Sequence, residues 1–138
     1  MDDERVVELR GQRVTIGAAA RRAVQEEMPE ILWIADTKLR QDVTDAWAAA
    51  LATSSFARLA DMKPSGNYDS APLRNGSQGD HIRSVTRMAV KIAEEMDQLF
   101  PAFTYDRDLL IAGCLCHDIG KVWEFDPANV QRWKAAPR

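Results

Sequence analysis

No apolar run in this chain approaches the length that crosses a bilayer, and the opening Met1-Asp2-Asp3-Glu4 lacks the basic and apolar regions of a signal peptide. Membrane spanning and secretion are therefore not expected, and the cytoplasm is the expected compartment. An excess of basic charge is missing too. Eighteen Lys and Arg face 21 Asp and Glu, for a net charge of -3, so no general nucleic-acid or membrane-surface binder is indicated. Cysteine is scarce: Cys114 and Cys116 lie two apart in an apolar stretch that reads as helix, where they point about 200° away from each other. They can neither pair there nor grip one metal, and buried free thiols are the expectation. Histidine is as scarce, with His81 and His117 only. No internal repeat or low-complexity tract is present. Length and a 46% hydrophobic content suit one soluble domain with a real core.

The periodic pattern is helical almost throughout. Residues 1–13 are charged with little periodicity, which reads as a frayed or partner-docked terminus. Ile16, Ala19, Ala20, Val24 and Met28 predict a helix over Thr15–Met28, with Pro29 stopping it or opening the next helix. Glu30–Ala35 reads as a helical turn or a strand-like connector. An alanine-rich helix is expected over Thr37–Met62, with Leu39, Val43, Ala46, Trp47, Ala50, Leu51 and Leu59 inward. Lys63–Gly79 gathers prolines, glycines and asparagines into a long loop, to be read as a lid over a site or as a plain connector. Ser77 and Asp80 form a capping box for a helix whose apolar stripe is Ile82, Val85, Met88, Ala89, Ile92, Met96 and Leu99. Pro101 breaks that helix, and Thr104, Asp106 and Asp108 supply a cap and an acidic first turn for the next one. Trp123 and Phe125 are expected over the helix end, Asp126-Pro127 in a turn, and Val130–Trp133 in a last helical turn. No strand-like alternation stands out, and the fold class expected is all-α.

The chemistry concentrates in Leu109-Leu110-Ile111-Ala112-Gly113-Cys114-Leu115-Cys116-His117-Asp118-Ile119-Gly120-Lys121. At helical period Leu110, Gly113, Cys114 and His117 share a stripe, which predicts that His117 extends a packed face. Gly120 is expected to end or bend the helix through a backbone angle denied to other residues. An imidazole and a carboxylate at the inner end of a buried helix make a good pair of metal ligands, whereas unpaired they carry a desolvation cost. His81 sits one turn before Val85 on the apolar face of the preceding helix. Two adjacent helices then each deliver a ligand to one point.

The segments Gly79-Asp80-His81-Ile82-Arg83-Ser84-Val85 and Cys116-His117-Asp118-Ile119-Gly120-Lys121 resemble two motifs of the HD-domain metal-dependent phosphohydrolase superfamily. These are a His near the start of one core helix and a His-Asp at the end of the next. Asp106-Arg107-Asp108-Leu109-Leu110-Ile111-Ala112-Gly113, with Lys121-Val122-Trp123-Glu124-Phe125, looks closest to the exoribonuclease branch. The resemblance covers about residues 76–126. It implies an HD-domain-like helical bundle, with residues 1–63 as an N-terminal helical layer, 64–79 as a loop and 80–138 as the first part of the core. It also implies that His81, His117 and Asp118 hold one or two divalent ions, Asp118 bridging if there are two. Nitrogen and carboxylate donors suit manganese, iron, nickel, cobalt or zinc alike.

The implied activity is phosphoester hydrolysis by metal-bound hydroxide on a nucleotide, a nucleic-acid end or a small phosphoester. Asp118 and Lys121 are the candidate catalytic residues. Lys121 would lend its ammonium to a substrate phosphate, the plainer alternative being a solvated lysine at a helix end. Arg83 and Arg87 are weaker candidates for phosphate contact. The family's last Asp has no counterpart before Arg138, and no His follows His117. The expectation is an N-terminal part of the domain or an incomplete site, with an apolar face covered by further chain or by a second protomer. Two rival readings stand beside the hydrolase: an HD-fold di-iron oxygenase or lyase on a small organic molecule, and a non-catalytic helical interaction module.

Overall fold

The computed structural model describes residues 4–64 and 76–135. The loop expected over Lys63–Gly79 falls largely between these segments, so its reading as a lid lies outside the described residues. The fold is helical, as the periodicity implies, with one small sheet. Two antiparallel strands, β1 (Arg5–Leu9) and β2 (Gln12–Ile16), pair Arg5 with Ile16, Val7 with Val14 and Leu9 with Gln12. The expected frayed terminus is thus an ordered hairpin. Arg10 and Gly11 make its two-residue turn, with φ of 53° and 75°. Left-handed angles at both central positions match the twist of a hairpin. Val7, Leu9 and Val14 turn one face onto the core and Ile16 is fully buried, while Val6 points out.

Helix α1 (Ala18–Glu27) starts three residues later than predicted, because Thr15 and Ile16 belong to β2. Pro29 opens a 3-10 turn, Pro29–Trp33, so this segment takes the helical of its two readings. Helix α2 (Thr37–Ala52) begins at Asp36, whose carboxylate accepts from the Leu39 N–H at 2.8 Å. It stops ten residues short of the predicted Met62. The Thr53 hydroxyl donates to the Ala49 and Ala50 carbonyls, and the Ser54 hydroxyl to Leu51. The Ala49 and Leu51 carbonyls also accept from the Thr53 and Ser54 N–H groups, so these two side chains close the last turn of the helix. The C-terminal half of α2 is buried almost all round, from Trp47 through Ala48, Ala49, Ala50 and Leu51, which makes it the central helix. Leu59, in a second 3-10 turn (Leu59–Asp61), is buried as expected.

Helices α3 (Gln78–Leu99) and α4 (Arg107–Cys116) pack side by side on this layer. Half of the capping box at Ser77 forms: its hydroxyl oxygen accepts from the Asp80 N–H at 3.1 Å, while the Asp80 carboxylate takes the Ser77 hydroxyl, at 2.8 Å, in place of the Ser77 N–H. On α4, Asp106 caps Leu109, and the Asp108 carboxylate accepts from the Ala35 and Asp36 N–H groups at 2.9 and 2.8 Å. Those two bonds hold the Asp108 carboxyl below its ordinary range and tie α4 to the start of α2. Short helices α5 (Lys121–Glu124) and α6 (Pro127–Ala135) close the described chain. One core runs through both layers, from Val24, Met28 and Ile31 to Ile82, Ile111, Leu115 and Val122.

Two local expectations are corrected. The packed face of α4 is Ile111, Ala112 and Leu115, all buried, whereas Gly113 and His117 lie on the open side. Periodicity identifies a stripe but not which side of the helix meets the core. Gly120 takes ordinary right-handed angles (φ -61°, ψ -22°), so the turn after His117 does not rest on glycine's freedom.

Candidate metal centre

Residue Gln78 opens α3, His81 lies one turn on, and His117 with Asp118 directly follows α4. Packing of α3 on α4 brings these ends together. The nitrogen His81 Nε2 lies 3.2 Å from Asp118 Oδ2, and His117 Nε2 lies 3.3 Å from the same oxygen. The two imidazole centroids are 5.7 Å apart, and one ligand atom from each of the three residues falls within 4.8 Å of the others. Donor atoms bound to one ion at about 2.0–2.3 Å stand about 3 Å from their neighbours, so the separations fit a shared ion.

The donor set also has suitable chemistry. The Nδ1 of His117 faces the Cys114 carbonyl oxygen at 2.6 Å. A carbonyl only accepts, so Nδ1 carries the proton, and in the neutral ring Nε2 is left with a bare lone pair. That lone pair faces Asp118 Oδ2, another acceptor. Two acceptors at 3.3 Å repel unless a cation or a proton lies between them. A backbone carbonyl behind the distal nitrogen is the usual way a metal-binding histidine is oriented. The trio is reachable from outside, with side chains of His81, His117 and Asp118 exposed by 35, 37 and 20%.

A fourth residue, not foreseen from the sequence, completes the cluster. The Gln78 side chain is fully buried, and its Nε2 donates to Asp118 Oδ2 at 3.0 Å. Gln78 is anchored by its own N–H, which donates to the Met62 carbonyl at 2.9 Å. Beside it, Gly79 lies against the 3-10 turn, where a Cβ would meet Leu59 Cβ at 3.4 Å. The only sequence signal for Gln78 is its spacing of one turn before His81.

The side chains of the remaining candidates have partners of their own. The ammonium of Lys121 lies 3.4 Å from Glu124 Oε2 and 5.1 Å from the Phe125 ring centre. Arg83 donates through Nε to both oxygens of Glu30, at 3.1 and 2.9 Å, and Arg87 adds a contact at 3.3 Å. Glu30 is 2% exposed, so both guanidinium groups neutralise a buried carboxylate. The two cysteines are free thiols, and burial pushes Cys116 up to about 11. Neither forms part of the trio.

These features define a helical protein with a histidine–carboxylate cluster carried at the ends of two packed helices. The family model described as HD domain matches residues 79–134, which spans α3 to α6 and includes all three clustered residues. The match supports the HD-domain superfamily, whose members are generally metal-dependent hydrolases, for this stretch. No curated protein and no solved structure matches the chain. Among the described residues, no helix is long and apolar enough to cross a membrane.

Proposed function

We propose that this protein is a metal-dependent phosphohydrolase of the HD superfamily, with His81, His117 and Asp118 as ligands of a divalent ion. The observation that carries the reading is the convergence of two imidazole nitrogens on one carboxylate oxygen, at 3.2 and 3.3 Å. A divalent ion in this place lowers the pKa of a coordinated water and offsets negative charge on a phosphoryl oxygen. The chain's own part is to fix the donors. The Cys114 carbonyl sets the His117 tautomer, and the half-open setting admits a phosphoester from the α3–α4 face. Lys121, the second candidate catalytic residue, reaches a substrate phosphate by exchanging Glu124 for it, a swap that its 3.4 Å surface contact permits.

The substrate class is a nucleotide, a nucleic-acid end or a small phosphoester. The likeness to the exoribonuclease branch at residues 106–125 favours the second. The stripe of α3 on the His81 side stays open: Met88, Ile92 and Leu99 are 58, 64 and 68% exposed, and Leu109 of α4 is 60% exposed. We assign its cover, together with a further carboxylate ligand, to an element packed on this face, such as a second protomer.

The test is calorimetric titration with manganese, cobalt, nickel, zinc and ferrous iron, followed by hydrolysis of a chromogenic phosphodiester. Binding and turnover that both disappear in Asp118→Ala support the reading. Iron-dependent oxygen consumption without phosphodiester cleavage would replace it with the di-iron oxygenase. Absence of any metal binding, with a melting temperature unmoved by chelator, would leave a non-catalytic helical module.

A further inference from the structure

Three nitrogen atoms surround Asp118 Oδ2, and only one of them is a fixed donor. His117 Nε2 faces it with a lone pair, because Nδ1 of that ring is committed to the Cys114 carbonyl. The Gln78 amide presents its NH2 at 3.0 Å, since a carboxylate oxygen can only accept. This orientation leaves Gln78 Oε1 buried with no hydrogen-bond partner among the described residues. The side chain is 0% exposed, so bulk solvent does not reach that carbonyl. A buried amide with an orphaned oxygen is destabilising compared with an apolar residue of the same shape. Such an arrangement is tolerated where the satisfied half of the group has work at a site.

We infer that Gln78 is the positioning residue of the metal centre: its amide N–H occupies one lone pair of Asp118 Oδ2 and turns the other toward the space between His81 and His117. The inference rests on the metal-centre reading above. A carboxylate held through the oxygen that faces the ion keeps that oxygen aimed between the two imidazoles, so the ligand stays aligned. The backbone of Gln78 is itself fixed by the Met62 carbonyl, and its place on the first turn of α3 keeps the amide in register with His81 one turn on. Gln78 does not touch substrate. It acts through Asp118.

Gln78→Met and Gln78→Leu remove the donor while filling the buried space, the methionine being the closer fit to an unbranched side chain. Manganese affinity is measured by calorimetry, and thermal unfolding is followed in excess chelator. Loss of a group that orients a ligand lowers metal affinity by about 10–100-fold. That drop is expected in both variants, while their melting temperature in chelator stays equal to or above that of the parent. Undiminished affinity in both variants overturns the assignment, as does an affinity loss matched by lower melting in chelator, which marks a purely structural glutamine. If the parent itself shows no manganese binding that His117→Ala removes, the metal-centre reading fails and this inference fails with it.

Discussion

Replacing Trp47 by Phe tests how the site is held to the rest of the molecule. The indole is 0% exposed, and its Nε1–H donates to the Leu115 carbonyl at 3.0 Å. Helix α4 ends at Cys116, so Leu115 carries one of the last carbonyls with no partner inside the helix. The N–H of Ile119, four residues on, goes to Cys116 instead. The central helix of the N-terminal layer therefore caps the helix from which His117 and Asp118 follow. Phenylalanine keeps most of the ring packing but leaves that carbonyl buried and unpaired, at about 1–3 kcal/mol. The smaller ring adds about 1 kcal/mol, as other small core truncations do. The expected loss is about 2–4 kcal/mol out of a total of about 5–15. Urea titration followed by circular dichroism should show the midpoint falling with an unchanged slope, since the surface exposed on unfolding is the same. A loss below about 0.5 kcal/mol would refute the capping argument, because a buried carbonyl cannot lose its donor so cheaply.

Glu30→Gln removes the charge that Arg83 and Arg87 share, and is expected to lower stability by about 1–3 kcal/mol, read as a shift in urea midpoint. An unchanged midpoint would show that the two arginines are satisfied by solvent alone. Asp126 should give the fold an acid-sensitive component. Burial raises its carboxyl, but hydrogen bonds from the Ser55 hydroxyl, the Ser55 N–H and the Ala128 N–H outweigh that and lower it overall. A depressed folded pKa contributes stability that is present above the ordinary carboxylate pKa of about 4 and lost as pH falls through the folded value. Asp126→Ala should therefore cost about 1–3 kcal/mol at pH 7 and less as pH falls below about 4; a loss that does not change with pH would contradict it. For the open stripe, the 138-residue chain should bind manganese more weakly and cleave a chromogenic phosphodiester more slowly than a longer form or an oligomer that covers Ile92. Equal affinity and turnover would show that the site closes within these residues.

What could be read from the sequence follows from how local each signal is. The Ser77 and Asp106 caps are short-range hydrogen-bond patterns, and both form, though Asp80 takes the Ser77 hydroxyl rather than its N–H. The hairpin was missed because Arg10-Gly11 is not among the common turn pairs, and Val6 beside Val7 blurs the alternation. The length of α2 was overestimated because alanine favours helix, while Thr53 and Ser54 end it by bonding back to carbonyls that propensity ignores. The nearness of His81 to His117 and Asp118 could be argued from two helix-end motifs. The place of Gln78 could not, since a glutamine on a first helical turn is ordinarily solvated. Its backbone is held by the Met62 carbonyl, which lies across a long loop in sequence.

The side of α4 that meets the core bears on function as well as on packing. Leu110, Gly113, Cys114 and His117 were expected against the interior, yet the helix buries Ile111, Ala112 and Leu115 instead. On α3, His81 shares its side with Val85, Met88, Ile92 and Leu99, while Ile82, Thr86, Val90 and Ala93 face inward. Both histidines thus lie on the open face of the helix pair, each in line with apolar side chains that the described residues leave uncovered. An element that covers the His81 end of this stripe passes near Asp118, since His81 Nε2 lies 3.2 Å from Asp118 Oδ2. On the proposal above, one piece of chain covers the apolar face and supplies the further ligand. A charge placed at Ile92, 64% exposed here, should leave the stability of this chain nearly unchanged and weaken metal binding only where that piece is present.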